Sequence, residues 1–271
     1  MQKEELALIC QQVILLTEET GKFIRQEAAA FDKAKIEYKG INDLVSYVDK
    51  ETEKMLVKGL IEILPQASFI TEEGTTLDLV PQDNPHNLRW IIDPLDGTTN
   101  FIHQLPIFAI SIALMQEDEV IVGVVHEINR DECFYAWLGG GAFCNGSPIS
   151  VSPAKTLSEG LLATGFPYYN FDRINAYLSI LNELMRNTHG LRRMGSAAVD
   201  LAYVACGRFE GYFEYNLKPW DVAAGVLLVQ EAGGFVGDFH GGKDYVFGRQ
   251  IVAANATYAE LLKIIEQHWI D

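Results

Sequence analysis

The chain has 271 residues, of which 48% are apolar and 21% are charged, and its formal charge at neutral pH is −16. This composition excludes a disordered or fibrous chain, because there is enough apolar surface for a buried core. The excess of acids, with a pI near 4.7, argues against nucleic acids and anionic membranes as direct partners.

The four cysteines are scattered along the chain, with no CxxC pair and no Cys/His cluster at zinc spacing. This pattern indicates neither a disulfide framework nor a structural zinc site, and it fits a reducing cytoplasm. Acids interrupt the apolar residues at the start of the chain, unlike in a signal peptide, and no window reaches the length of a membrane span. We therefore expect a soluble, cytoplasmic protein.

In the first half, apolar spacing predicts a helix over residues 3–30. After a turn at 39–42, a short extended segment leads into a second helix, which Pro65 ends. Two β-prone runs, 68–71 and 88–92, each lead directly into carboxylates. From 108 to 152, β-rich stretches separated by polar or glycine-containing turns predict an antiparallel meander.

The second half alternates strand-like and helical segments. The apolar runs 161–166, 195–207 and 251–256 are interspersed with a predicted helix near 171–185, a strand at 209–215, a helix at 221–234 and a C-terminal helix. No linker or repeat divides the chain. We therefore predict an α/β (α+β) protein forming a single unit, 1–271, with approximate lobes 1–152 and 153–271.

The segment from 90 to 101, WIIDPLDGTTNF, carries the strongest chemical signal. An apolar strand ends in Asp93 and Asp96, whose carboxylates are ligands that Mg²⁺ prefers. Leu95 between them could add its carbonyl oxygen, and Gly97 permits a sharp turn that brings backbone N–H groups near an anion. An isolated DPxDG motif, however, is also compatible with an ordinary turn that caps a helix.

Three motifs in order give this chain its resemblance to the inositol monophosphatase family, and the resemblance covers essentially the whole sequence. They are FITEE at 69–73, DPLDGTTNF at 93–101 and KPWDVAAG at 218–225. The first motif has Thr71 where the family usually carries glycine. The resemblance implies that the metal ligands are Glu72, Asp93, the Leu95 carbonyl, Asp96 and Asp221.

The resemblance also implies further site residues. Asp49 and Thr98 would orient the attacking water, with Glu72 completing the catalytic set. The implied substrate-binding residues are Asp96, Gly97, Thr98, Thr99, Gly195, Ser196, Ala197, Glu214 and Asp221. Lys39, Arg192 and Arg193 are basic residues considered for substrate or interface roles, although exposed cations are usually solvated.

For the whole protein, the resemblance implies a layered αβαβα sandwich, two or three Mg²⁺ ions per site, lithium inhibition and a homodimer. The implied reaction is hydrolysis of a phosphomonoester by in-line attack of water, with inositol 1-phosphate as the first candidate. Fructose 1,6-bisphosphate, histidinol phosphate and nucleotide 3′-phosphates stay open as alternatives. A regulatory, protein-binding or RNA-associated module with secondary phosphatase activity is the alternative from another class.

Overall fold

The computed structural model describes residues 1–30, 36–38, 44–75, 84, 87–168 and 170–270. The turn predicted at 39–42, and Lys39 within it, lie outside these residues. The described helices are α1 (Lys3–Ala29), α2 (Tyr47–Ile63), α3 (Thr98–Ile102), α4 (Ile174–Asn187), α5 (Ala197–Ala205), α6 (Pro219–Glu231) and α7 (Tyr258–His268), with a 3-10 turn at Leu157–Glu159.

The described strands form three sheets. They are β1 (Ile36–Tyr38), β2 (Leu44–Ser46), β3 (Ser68–Thr71), β4 (Leu88–Asp96), β5 (Ala109–Gln116), β6 (Glu119–Glu127), β7 (Glu132–Trp137), β8 (Gly141–Cys144), β9 (Ser147–Ile149), β10 (Leu161–Thr164), β11 (Gly190–Arg192), β12 (Gly211–Tyr215), β13 (Phe235–Gly237) and β14 (Gln250–Ala254).

The larger sheet has seven strands in the order β3-β4-β5-β6-β7-β8-β9. Strand β3 runs parallel to β4, and every later neighbour is antiparallel. The second sheet has the order β11-β10-β12-β14-β13. In it β10 is parallel to both neighbours, whereas β14 is antiparallel to β12 and β13. Strands β1 and β2 form a separate antiparallel pair.

The layers alternate between helices and sheets. Helices α1 and α2 pack on one face of the seven-stranded sheet, and α5 and α6 lie between the two sheets. Helices α4 and α7 cover the outer part of the five-stranded sheet. This αβαβα sandwich confirms the predicted fold.

The middle of helix α6 is apolar on all sides, as expected for a helix buried between two sheets. All eight residues from Val222 to Val229 are buried. The helix approaches β6 closely at Gly123, where an added Cβ would lie 2.7 Å from the Ala224 carbonyl oxygen. The central core therefore runs continuously between the sheets.

The predicted elements agree with the structure in type, but some bounds differ. The N-terminal helix, the second helix and the meander are confirmed. Strand β4 continues through the DPLD motif to Asp96, beyond the predicted end at residue 92. The short elements α3, β11 and β13 had no predicted counterpart. Among the described residues, no helix is both long and apolar enough to cross a membrane.

Candidate active site

Two neighbouring strands deliver the first acids to one edge of the larger sheet. The parallel register places Thr71 opposite Ile92, so Glu72 and Asp93 follow side by side. The pairing of β4 with β5 shifts between Asp93 and Asp96. A bulge accommodates Pro94, which cannot donate a ladder hydrogen bond. Both aspartates are thereby held at the end of a buried strand.

The turn after β4 requires a glycine. Gly97 has a φ of +98°, and an added Cβ would lie 3.0 Å from the Ile107 carbonyl oxygen and 3.3 Å from that of Gly195. Before the turn, the Leu95 N–H donates to Asp93 Oδ1 at 3.0 Å. The chain then enters α3 directly, so the first residues of this helix stand beside the two aspartates.

Asp49 and Thr98 are joined across the site. Thr98 Oγ1 lies 2.7 Å from Asp49 Oδ1 and 3.0 Å from the Leu95 carbonyl oxygen. Asp49 is the third residue of α2, and its Oδ2 accepts from the Ser46 N–H and hydroxyl at 2.9 and 2.6 Å. This reciprocal N-cap fixes the carboxylate that faces Thr98.

Two carboxylates, Asp96 at the end of β4 and Asp221 in α6, are held by hydrogen bonds at helix N-termini in the second half of the chain. Asp96 Oδ2 accepts from the Ser196 hydroxyl and the Ala198 N–H, both at 2.7 Å, at the N-terminus of α5. Asp221 Oδ2 accepts from the Lys218 N–H at 2.7 Å, at the N-terminus of α6. Positive helix ends favour ionised carboxylates at both places.

Glu214 lies on β12, and its carboxylate is held by a hydrogen bond and fits against a glycine. Its Oε2 accepts from the Tyr212 hydroxyl at 2.6 Å. A Cβ added to Gly165 would lie only 1.8 Å from the same oxygen, so the carboxylate occupies space that a glycine leaves open.

A cavity of about 280 Å³ gathers most of the predicted residues. It is lined by Glu72, Asp93, Leu95, Asp96, Gly97, Thr98, Thr99, Gly195, Glu214 and Asp221, among others. Ser196 and Ala197 line an adjoining recess of about 70 Å³. Asp49 stands behind the cavity through its bond to Thr98. The structure thus brings together all the predicted site residues, whose chemical roles stay predictions.

Burial and mutual repulsion shift the acids in the same direction. Burial raises the pKa of Asp93 well above its usual value, and the neighbouring charge of Glu72 adds to that effect. Burial and the charge of Asp96 raise the pKa of Asp221. Burial also raises the pKa of Asp96 to about 6 and that of Glu214 to about 7. Such a cluster favours a compensating positive charge.

The donor set fits a hard divalent cation. Carboxylates of Glu72, Asp93, Asp96 and Asp221 line one cavity, which also contacts Leu95. Mg²⁺ takes oxygen ligands and commonly completes its shell with water and substrate phosphate. Within the described part of the chain, no three acidic, histidine or cysteine side chains are already gathered into a metal-ligand cluster. The four carboxylates nevertheless line one cavity, so they could hold such an ion together with ligands from outside the protein.

Several supporting residues were not predicted. Ser46 could have been found from its spacing to Asp49, which matches a capping box. Glu53, Tyr212 and Asp200 carried no motif, although Asp200 is a lone acid within the apolar sequence of α5. Of the basic residues considered, Arg193 lines the recess and Arg192 is exposed.

Comparisons with known proteins agree with this geometry. The sequence model of the inositol monophosphatase family matches residues 7–269. The "Nus factor SuhB" of Escherichia coli K12 is 45% identical over 235 residues, covering 87% of this chain and 86% of the relative. The "Inositol-1-monophosphatase" of Rhizobium meliloti is 40% identical over 247 residues, covering 91% of each.

A solved structure agrees along nearly the full length. The crystal structure of the extragenic suppressor protein suhB from Bartonella henselae superposes with a TM-score of 0.88 at 36% identity, covering 95% of this chain and 98% of that one. The chain belongs to the inositol monophosphatase family.

Proposed function

We propose that this protein is a Mg²⁺-dependent phosphomonoester hydrolase, with inositol 1-phosphate as its first candidate substrate. One observation carries the proposal: four carboxylates line a single cavity beside the hydrogen-bonded pair of Thr98 and Asp49. A structural capping role accounts for individual acids, but it does not account for their convergence on one cavity.

Each group has a proposed task. Glu72, Asp93, Asp96, Asp221 and the Leu95 carbonyl would hold two or three Mg²⁺ ions. When bound, these ions would neutralise phosphate charge and lower the pKa of water. Asp49 accepts from Thr98 and fixes its hydroxyl, which would orient the water in line with the phosphorus atom. The N–H groups of residues 97–99 would contact phosphate oxygens.

The leaving group would occupy the side of the cavity nearest Glu214. A fixed carboxylate there accepts hydrogen bonds from hydroxyl groups, which supports a polyol phosphate such as inositol 1-phosphate. Fructose 1,6-bisphosphate, histidinol phosphate and nucleotide 3′-phosphates are the competing substrates. The Rhizobium relative, which bears the name inositol-1-monophosphatase, supports the first choice.

Phosphate release from these four classes of compound tests the proposal. The enzyme is assayed with Mg²⁺ or with EDTA, and with or without lithium. We expect Mg²⁺-dependent release, greatest for inositol 1-phosphate and reduced by lithium. A metal-loaded protein that releases phosphate from none of them would contradict the proposal.

A second candidate is a regulatory protein-binding or RNA-associated role. It is favoured by the name "Nus factor" borne by the Escherichia coli relative, whereas the charge of −16 opposes direct contact with RNA. Specific capture of a protein partner by a variant that lacks phosphatase activity would support this role. We further propose a homodimer, which sedimentation velocity of the purified chain tests.

A further inference from the structure

The main cavity continues into a recess whose walls contain more acceptors than the proposed chemistry uses. The recess measures about 70 Å³, and its lining includes Tyr168, Arg193, Asp200 and Glu214. It shares Glu214 with the main cavity. This space is large enough for hydroxyl groups at the edge of a bound ring.

Asp200 is the unexplained member of this lining. It lies on α5, its exposed fraction is 1%, and its buried Oδ1 atom has no hydrogen-bond partner among the residues that the structure describes. Every other residue of α5 is apolar. A buried carboxylate oxygen without a partner is costly, and an apolar side chain would fill such a site more favourably. Fold stability therefore does not explain an acid at this position.

The charged groups around Asp200 restrict the kind of ligand group that could bond to its Oδ1 atom. Burial raises the pKa of Asp200 well above its usual value; the neighbouring charges of Glu214 and Asp96 add to this shift, and the charge of Arg193 opposes it. Arg193 in turn donates to the Tyr168 hydroxyl at 2.6 Å. The positive charge of Arg193 disfavours an ammonium ion in the recess, and the carboxylates disfavour a second phosphate group. A neutral hydrogen-bond donor is the partner that satisfies both conditions.

We propose that Asp200 accepts a hydrogen bond from a hydroxyl group of the leaving group, beside the acceptor supplied by Glu214. Asp200 is then a specificity-determining residue that selects polyhydroxylated leaving groups. A leaving group without hydroxyls leaves both acceptors unpaired, which is a strong basis for discrimination. This inference rests on the proposed phosphatase function.

The test compares inositol 1-phosphate with p-nitrophenyl phosphate, whose leaving group offers no neutral hydroxyl donor, at saturating Mg²⁺. In Asp200→Ala we expect kcat/KM for inositol 1-phosphate to fall about 10- to 100-fold, mainly through KM. Hydrolysis of p-nitrophenyl phosphate should be unchanged. Asp200→Asn retains an acceptor oxygen and should lose less.

Glu127→Gln is the matched control. Glu127 is also 1% exposed, and it accepts from the backbone of Asn129 and Arg130. This variant should leave the ratio of the two kcat/KM values unchanged. An equal loss for both substrates in Asp200→Ala would indicate a structural role, and no loss for either would indicate no contact. Both results overturn the inference.

The wild-type protein supplies a measurement that does not depend on the folding of a variant. KM is compared for inositol 1-phosphate and a series of ring-deoxygenated analogues. We expect removal of the hydroxyls seated in the recess to raise KM, and equal KM values across the series overturn the inference alone. A metal-loaded wild type that releases phosphate from none of the four proposed substrate classes overturns the proposed function as well.

Discussion

Thr98 is fixed by hydrogen bonds within the protein, and its hydroxyl is also the group proposed to orient the attacking water. Its hydroxyl stands between Asp49 and the Leu95 carbonyl. Asp49 has two further bonds from Ser46, so loss of the Thr98 hydroxyl leaves this carboxylate partly satisfied. A change at Thr98 should therefore affect the reaction more than the fold.

Thr98→Ala should lower kcat by about 10²- to 10⁴-fold, because the water loses its orienting group. Mg²⁺ affinity, measured by calorimetry, should change little. Thr98→Ser keeps the hydroxyl and should retain most of the rate. Near-normal turnover in Thr98→Ala would show that the hydroxyl does not orient the water.

At the scale of elements, helix α2 supports the site at two points. Its third residue, Asp49, faces Thr98, and Glu53 one turn later is fully buried. Glu53 accepts from the Glu73 N–H at 2.8 Å and from the Thr75 N–H at 2.7 Å. These bonds hold the segment that immediately follows Glu72.

We expect Glu53→Ala to weaken Mg²⁺ binding by about 10- to 100-fold, since groups that orient a ligand contribute on this scale. Calorimetric titration with Mg²⁺ measures the effect directly. Glu51→Ala is the control on the same helix, because the one ion pair of Glu51 within the described part of the chain is an exposed pair with Lys54. Equal metal affinity in the two variants would contradict a positioning role for Glu53.

The sequence predicted long elements better than short ones. The apolar period of α1 and the turn residues of the meander are local signals, and both were sufficient. Strand β4 extends past Ile92 because a bulge accommodates Pro94, and the β-prone run at 88–92 did not indicate this extension. Helix α3 has only five residues and lacks a periodic pattern.

The site shows the same division between local and tertiary information. The DPLD motif pointed to Asp93 and Asp96, the family resemblance added Asp221, and the structure gathers the three at one cavity. Glu53 contacts Thr75, and Asp200 lines a recess. Both arrangements depend on the packing of segments that are separated in the chain. No local pattern encodes such contacts.

At the scale of the whole molecule, an ion pair joins the larger sheet to the segment after α5. Arg208 Nη1 and Nη2 lie 2.6 and 2.7 Å from the two carboxylate oxygens of Glu132. Hydrogen bonding from Arg208 is the main cause that lowers the pKa of Glu132, whose side chain is 16% exposed. A bidentate pair of this kind is stronger than a typical surface pair.

Glu132→Gln should lower the free energy of unfolding by about 1 kcal/mol at pH 7. The folded-state pKa of Glu132 lies below its unfolded value, so its contribution is present above the unfolded pKa of about 4.3. That contribution is lost as pH falls through the folded pKa. Urea unfolding at pH 7 and in stepwise more acidic buffers should therefore show the difference from wild type shrinking below about pH 4.3.

If the difference in unfolding free energy between wild type and Glu132→Gln stayed the same across that pH range, the ion pair would not be the cause of this difference. Arg186→Ala is the control, because Arg186, as far as the described residues show, makes one exposed hydrogen bond, with Asn182 of the same helix α4. It should shift stability little at either pH.

The most direct test of the central claim is a Mg²⁺ titration of inositol 1-phosphate hydrolysis in the wild type and in Asp93→Asn. Asparagine can keep the bond from the Leu95 N–H while removing the charge that faces the cavity. We predict Mg²⁺-dependent phosphate release by the wild type, and a loss of at least about 100-fold in a variant with a wild-type circular dichroism spectrum. Metal-independent release, or full activity in folded Asp93→Asn, would contradict the account.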